Sequence, residues 1–194
     1  MNATISYYNN NAKEYCASTV NADMMEAYEK FRKYIPDGGS IIDMGCGSGR
    51  DILAFKNMGY QVTGLDASEE LAKLAAGYTD EPVITADMSS WKAESSFDGM
   101  WCCASLLHLK DEEVSQFFSN IRNNLKSGGA LYISVKSGIE TGTDVNGRFM
   151  RNFTECEIEQ LFKDNGLSLE ECWTNEDSIG RCGFKWINAI GILN

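Results

Sequence analysis

Apolar positions along the chain alternate between two periods. Short runs rich in apolar or β-branched residues lie at 41–43, 61–66, 81–87, 97–103, 130–136, 167–174 and 184–193. Each suits a strand. Between them lie segments with helical spacing. Residues 51–58 carry helix formers and end before Gly59. Ser68 caps the next segment and Glu69 and Glu70 occupy its first turn. Residues 111–125 place Val114, Phe117, Phe118, Ile121 and Leu125 on one face, and Gly128-Gly129 follows. Thr154 and Glu157 have the spacing of a capping box for a helix over 155–165, closed by Gly166. Ahead of the first strand, a polar, tyrosine-bearing segment predicts helix from about residue 12. A second helix is expected over 22–34, capped by Asn21 and ended by Pro36. Strands alternating with helices predict an α/β, Rossmann-like doubly wound sheet with helices on both faces. Residues 1–36 read as an N-terminal helical cap and 37–194 as the core of a single domain. Residues 137–153 show no period and are expected to form a long loop at the carboxyl end of a strand, where such loops tend to be functional or mobile.

The first strand exits into Asp43-x-Gly45-x-Gly47-x-Gly49-Arg50. Glycine tolerates positive φ and lets backbone approach a ligand closely. A dinucleotide fingerprint, G-x-G-x-x-G, would need glycine where Arg50 stands, which disfavours a nicotinamide oxidoreductase. Asp66 ends the second strand about 20 residues on, where nucleotide folds place a carboxylate for ribose hydroxyls. A carboxylate only accepts hydrogen bonds and a ribose diol has two to donate, so position and chemistry agree. Asp87 ends the third strand and would serve equally as a turn former.

Composition narrows the partners. Net charge is −11, so the global field repels nucleic acid and anionic membranes, and neither is expected as a partner. A small-molecule partner is favoured over a nucleic acid. The seven cysteines are odd in number and form no C-x-x-C pair; a reducing compartment is expected and a metal site is not. No apolar run approaches the ~20 residues that span a bilayer, and no signal segment is read, so the expected location is cytoplasmic. A monomer or homodimer is expected.

Asp43, Gly45, Gly47, Gly49, Asp66, Asp87, Phe97-Asp98 and Gly128-Gly129, in that order, resemble the motifs of class I S-adenosylmethionine (SAM) methyltransferases. The opening Tyr7-Tyr8-x₃-Ala12-x₂-Tyr15 is similar to small-molecule methyltransferases of the tellurite-resistance type. The resemblance implies a seven-stranded sheet of order 3-2-1-4-5-7-6 with strand 7 antiparallel. It implies SAM as cofactor, S-adenosylhomocysteine as product, and methyl transfer to an O, N or S nucleophile. It places the cofactor on Asp43, Gly45, Cys46, Gly47, Gly49 and Arg50, on Asp66 and Ala67, on Asp87 and Met88, and on Cys103 and Ala104. His108, the single histidine, could orient an acceptor or take its proton. Tyr15 is the cap residue expected next to a ligand. Lys136, Arg148, Arg151 and Arg181 are candidates to hold an anionic acceptor. For each of these, packing or solvated surface charge is the alternative. Methylation of tRNA or protein, and a catalytically silent SAM-binding module, are the competing functions.

Overall fold

The sequence alternation folds, in a computed structural model describing residues 2–177 and 180–194, into one main sheet with helices on both faces. Its elements include β1 (Ser40–Met44), β2 (Gln61–Asp66), β3 (Val83–Thr85), β4 (Phe97–Cys103) and β5 (Leu125–Ser137), then the short β6 (Gly142–Thr143) and β7 (Phe149–Met150), and finally β8 (Leu167–Asn175) and β9 (Lys185–Leu193). The helices are α1 (Ala3–Thr19), α2 (Met25–Phe31), α3 (Arg50–Asn57), α4 (Glu69–Thr79), α5 (Asp111–Ser119), α6 (Ile121–Asn124) and α7 (Glu155–Asp164).

Sheet order is β3-β2-β1-β4-β5-β9-β8, with β9 antiparallel to both neighbours. This is the expected order, β8 and β9 being the sixth and seventh strands of the main sheet. The parallel strands are buried on both faces, which is why Ile41-Ile42 and Leu131–Ile133 read as unbroken apolar runs. Phe117, Phe118 and Phe162 fill one face; Phe31, Phe55, Trp101 and Tyr132 fill the other. Trp101 stacks on Tyr132 with centroids 3.8 Å apart. Each such buried side chain contributes about 1.5–3 kcal/mol relative to exposure. In register, Asp43 of β1 stands beside Gly64 of β2 and Trp101 of β4, so the carboxyl ends of these strands line up. Ligands of doubly wound sheets lie at that edge.

Four local expectations are corrected. Helix α1 begins at residue 3 and not at about 12, because Asn2 Oδ1 accepts from Thr4 N at 2.9 Å and caps it; Asn11, with φ −118°, kinks it. Asp23, not Asn21, accepts from the first turn of α2. The helix expected over 111–125 breaks at Asn120, a buried residue whose Nδ2 donates to Ser89 O at 3.1 Å. The aperiodic stretch 137–153 holds the β6–β7 hairpin, tied down by Arg151 N donating to Leu107 O and Phe153 N to Lys136 O. The loop joining β8 to β9 includes Ser178 and Ile179, which lie outside the described residues, as does Met1. Among the described residues no helix is long and apolar enough to cross a membrane.

Candidate functional site

The site starts at the bend after β1. Gly45 N and Cys46 N both donate to Leu65 O, at 2.7 and 3.0 Å, which folds the bend onto β2. Gly45 has φ +82° and an added Cβ would lie 2.5 Å from the Ser105 Cβ; Gly47 has φ +54° and its Cβ would lie 3.0 Å from the Tyr15 ring. No larger residue fits either place. Asp66 fastens the bend: its Oδ2 accepts from Gly47 N at 2.9 Å and its Oδ1 from Ser68 N at 2.8 Å. Burial pushes the Asp66 carboxyl up to about 6, against the pull of those two N–H groups.

Beside this bend lies a cavity of about 100 Å³ whose walls include Gly45, Gly47, Asp66, Ala67, Asp87 and Met88. Asp87 is engaged by its own turn, with Oδ1 accepting from Ser89 N and Oγ at 2.9 and 2.7 Å. Behind the bend, Asp43 is buried and its Oδ2 has no hydrogen-bond partner among the described residues, nor has the Oγ of Ser105. Burial, and then the charge of Asp51, raises the Asp43 carboxyl well above its usual range. A buried carboxylate oxygen left open in this way suits a cation or a water that reaches it. Two expected contacts face elsewhere. The Cys46 sulfur packs into the core towards Gly64, and Gly49 is held against Ala75 and Thr79 of α4. Neither side lines the cavity; the first offers only backbone, and the second needs no Cβ so that α3 can meet α4.

A second cavity, of about 270 Å³, adjoins the first. Tyr8, Tyr15, Ala104 and His108 belong to both. Ala104 stands at the junction with φ +55°, a conformation rare for a residue with a Cβ. Arg50 and Cys103 line the larger cavity. Arg50 is forked onto Asp51 at 2.7 and 2.8 Å, and Asp51 also accepts from Trp101 Nε1 at 2.9 Å and from the Tyr28 hydroxyl. Burial works against the Asp51 charge, and the Arg50 guanidinium outweighs it.

Lys136, Arg148 and Arg181 all reach the larger cavity, but they differ. Arg148 is forked onto Asp144 at 2.7 and 3.0 Å. Arg181 is forked onto Asp177 at 2.6 and 3.1 Å. Burial favours the Asp177 acid, yet hydrogen bonds from Arg181 and Trp186 hold it down to about 2. Lys136 Nζ lies 4.2 Å from the Phe184 ring centroid and 5.5 Å from that of Trp186, and it has no ion pair among the described residues. Burial, then the fields of Arg181 and Arg148, lowers its ammonium below the ordinary range. Arg151 is elsewhere, between Asp111 and Glu157, so it is corrected to a structural cation.

The imidazole of His108 is held at both nitrogens: Nδ1 is 2.8 Å from Phe149 O and Nε2 is 2.8 Å from Tyr8 Oη. Burial lowers His108 to about 4, so it is neutral at pH 7. Tyr15 is pushed up by burial and stays a phenol. Beyond the opening Tyr7-Tyr8 pattern no particular role for Tyr8 was legible, because its partner lies 100 residues away. Asp144 was also missed, although its four-residue spacing from Arg148 was a readable signal.

Residues 41–129 match the family model described as a methyltransferase domain. YqeM of Bacillus subtilis strain 168, provisionally named a methyltransferase, is 30% identical over 125 residues, 58% of this chain and 50% of that protein. The ubiquinone biosynthesis O-methyltransferase of Xanthomonas axonopodis pv. citri is 30% identical over 107 residues, 52% of this chain and 44% of that protein. The chain spans about half the length of the curated relatives it matches. The crystal structure of Burkholderia thailandensis 1,6-didemethyltoxoflavin-N1-methyltransferase, with 1,6-didemethyltoxoflavin and S-adenosylhomocysteine bound, superposes with TM-score 0.78 at 21% identity, over 98% of this chain and 85% of that one.

Proposed function

We propose that this chain, a class I SAM-dependent methyltransferase by fold and by motif, transfers the methyl group of SAM to a small-molecule nucleophile held in the larger cavity. The observation that carries the reading is the meeting of two unlike cavities at Tyr8, Tyr15, Ala104 and His108. One is built on a glycine bend with carboxylates, and the other is rich in cations and aromatic rings.

The residues present fit the cofactor. Asp66 has acceptor capacity for a ribose diol beyond its two backbone bonds. Asp87 and Met88 close the same cavity and suit an adenine. Arg50, fixed by Asp51, presents a guanidinium to an amino-acid carboxylate at the larger cavity. Bound SAM supplies a methyl group on a cationic sulfur, already activated for displacement. The chain therefore has to orient the acceptor and exclude water, and such positioning can lower a barrier by ~7–11 kcal/mol.

Lys136 is the residue assigned to an anionic group of the acceptor. Arg148 and Arg181 already have carboxylate partners, whereas among the described residues Lys136 rests on aromatic faces and has no ion pair. Trp173, Trp186 and Tyr15 supply apolar walls for a flat molecule. A macromolecular substrate is disfavoured because α1 and α2 wall the cavity and the net charge is −11.

The test is release of S-adenosylhomocysteine by the full chain given SAM and a panel of acceptors. The panel spans small O–H, N–H and S–H molecules, 1,6-didemethyltoxoflavin among them, plus bulk tRNA and a peptide mixture. Turnover with a small molecule supports the reading. Turnover only with tRNA or peptide, or SAM binding with no turnover at all, contradicts it.

A further inference from the structure

His108 has no free nitrogen to offer an acceptor. The Phe149 carbonyl can only accept, so Nδ1 carries the ring proton and Nε2 must accept from the Tyr8 hydroxyl. Arg148 Nη1 donates to the same Tyr8 oxygen at 3.3 Å, and its guanidinium carbon lies 4.8 Å from the Tyr7 ring centroid. Tyr8 Oη thus donates one hydrogen bond, accepts one, and keeps a lone pair, on a side chain that lines both cavities. The pair is braced from two elements: Phe149 N donates to Thr4 Oγ1 of α1 at 2.9 Å, and Tyr8 and Tyr15 meet edge to face at 5.1 Å.

We propose that Tyr8 is the group that takes the acceptor's proton, passing its own to His108, so that His108 acts through the tyrosine and never touches the acceptor. This rests on the methyltransferase reading above. As the acceptor's lone pair bonds to the incoming methyl carbon, its X–H bond breaks and that proton goes to Tyr8 Oη. The Tyr8 proton goes to His108 Nε2, leaving an imidazolium with hydrogen bonds to Phe149 O and Tyr8 Oη. One positive charge enters with the methyl group and one ends on the imidazole, so no net charge is created in the cavity. Burial that holds His108 at about 4 makes the imidazolium shed its proton to water once product leaves. Arg148, poised on the phenolic oxygen, steadies the negative charge that develops there. The charged and titratable groups facing the pair are Arg148 and Asp144 of the β6–β7 hairpin, Lys136 of β5, Asp66 of β2 and Tyr7 of α1.

Two readouts test this on the full chain. The single histidine allows nitrogen-15 NMR of one imidazole. The proposal expects the neutral Nδ1–H form at pH 7, with an Nε2 signal that shifts in Tyr8→Phe as the hydrogen bond is lost. An Nε2–H form, or an Nε2 signal indifferent to Tyr8→Phe, overturns it. In turnover, members of the acceptor panel that are methylated are sorted by whether X–H is ionised in solution at pH 7. Tyr8→Phe and His108→Gln should each cut kcat by about 10²-fold for un-ionised acceptors. For ionised ones the loss should stay under threefold. Equal losses for both classes overturn the relay while leaving the methyltransferase reading standing. Absence of any turnover by the wild type defeats that reading and the relay with it.

Discussion

At the scale of single residues, what each side chain can still bind depends on which of its polar atoms are already satisfied. Asp66 fastens the bend with both oxygens and still faces the smaller cavity. Its carboxyl, raised by burial to about 6, must be ionised to accept from a diol while holding two N–H groups. SAM affinity is therefore expected to weaken as pH falls from 7 to 5, measured by equilibrium titration, and Asp66→Asn should flatten that slope. A slope unchanged in Asp66→Asn would remove this carboxylate from cofactor binding. Of the three cations Lys136, Arg148 and Arg181 at the larger cavity, Lys136 has no carboxylate partner among the described residues. Lys136→Met should raise acceptor KM about tenfold or more and leave the SAM Kd nearly constant. Arg181→Met should do less, because that guanidinium serves Asp177. Equal effects of the two would mean that the cavity's overall field, not one ammonium, holds the acceptor.

At the scale of elements, local chemistry decided what could be read ahead of the structure. The bend after β1 was legible because glycine spacing is a local signal with a local cause. Gly45→Ala makes that explicit. It forces a Cβ at φ +82° to within 2.5 Å of the Ser105 Cβ, and should cost about 2 kcal/mol or more in denaturant unfolding. Strand order was legible through the family motif and the short link before β9, which cannot make a parallel crossover. Helix α1 was half legible. Only its part from about residue 12 was expected as helix, yet Asn9 Oδ1 accepts from Ser68 Oγ at 2.7 Å and Asn11 Nδ2 donates to Tyr7 O at 2.8 Å. Those residues are spent on docking the helix to α4 and on bending it over the site. The β6–β7 hairpin was not legible, since two-residue strands show no alternation. The partnership of Tyr8 with His108 was out of reach for the same kind of reason: no local pattern records a contact across 100 residues.

At the scale of the whole molecule, a strongly acidic chain lines its larger cavity with Arg50, Lys136, Arg148 and Arg181 beside Asp23, Glu26 and Asp177. The acidic exterior favours a small molecule over an anionic polymer, which would meet that outer field first. The molecule also carries a pH signature. His108 is held below its ordinary value, at about 4, so the fold favours the neutral ring. Its contribution is complete above pH 6.5 and is lost as pH falls from there towards 4. Asp66 works in the opposite sense, because its raised carboxyl penalises the fold as pH rises from about 4 to 6. His108→Gln should therefore reduce the loss of stability between pH 6.5 and 4.5, by an amount on the order of 2 kcal/mol in chemical unfolding. An unchanged acid limb would mean that the imidazole titrates normally and that its two hydrogen bonds do not hold in solution.

All of these roles depend on SAM sitting against the glycine bend. The most direct check is calorimetric titration of SAM into the wild-type chain and into Gly47→Val, whose side chain would fill the space between the bend and Tyr15. The account predicts one site with micromolar-range affinity in the wild type and at least a tenfold loss in a folded Gly47→Val. Equal affinity in the two proteins, or no binding by the wild type, would contradict it.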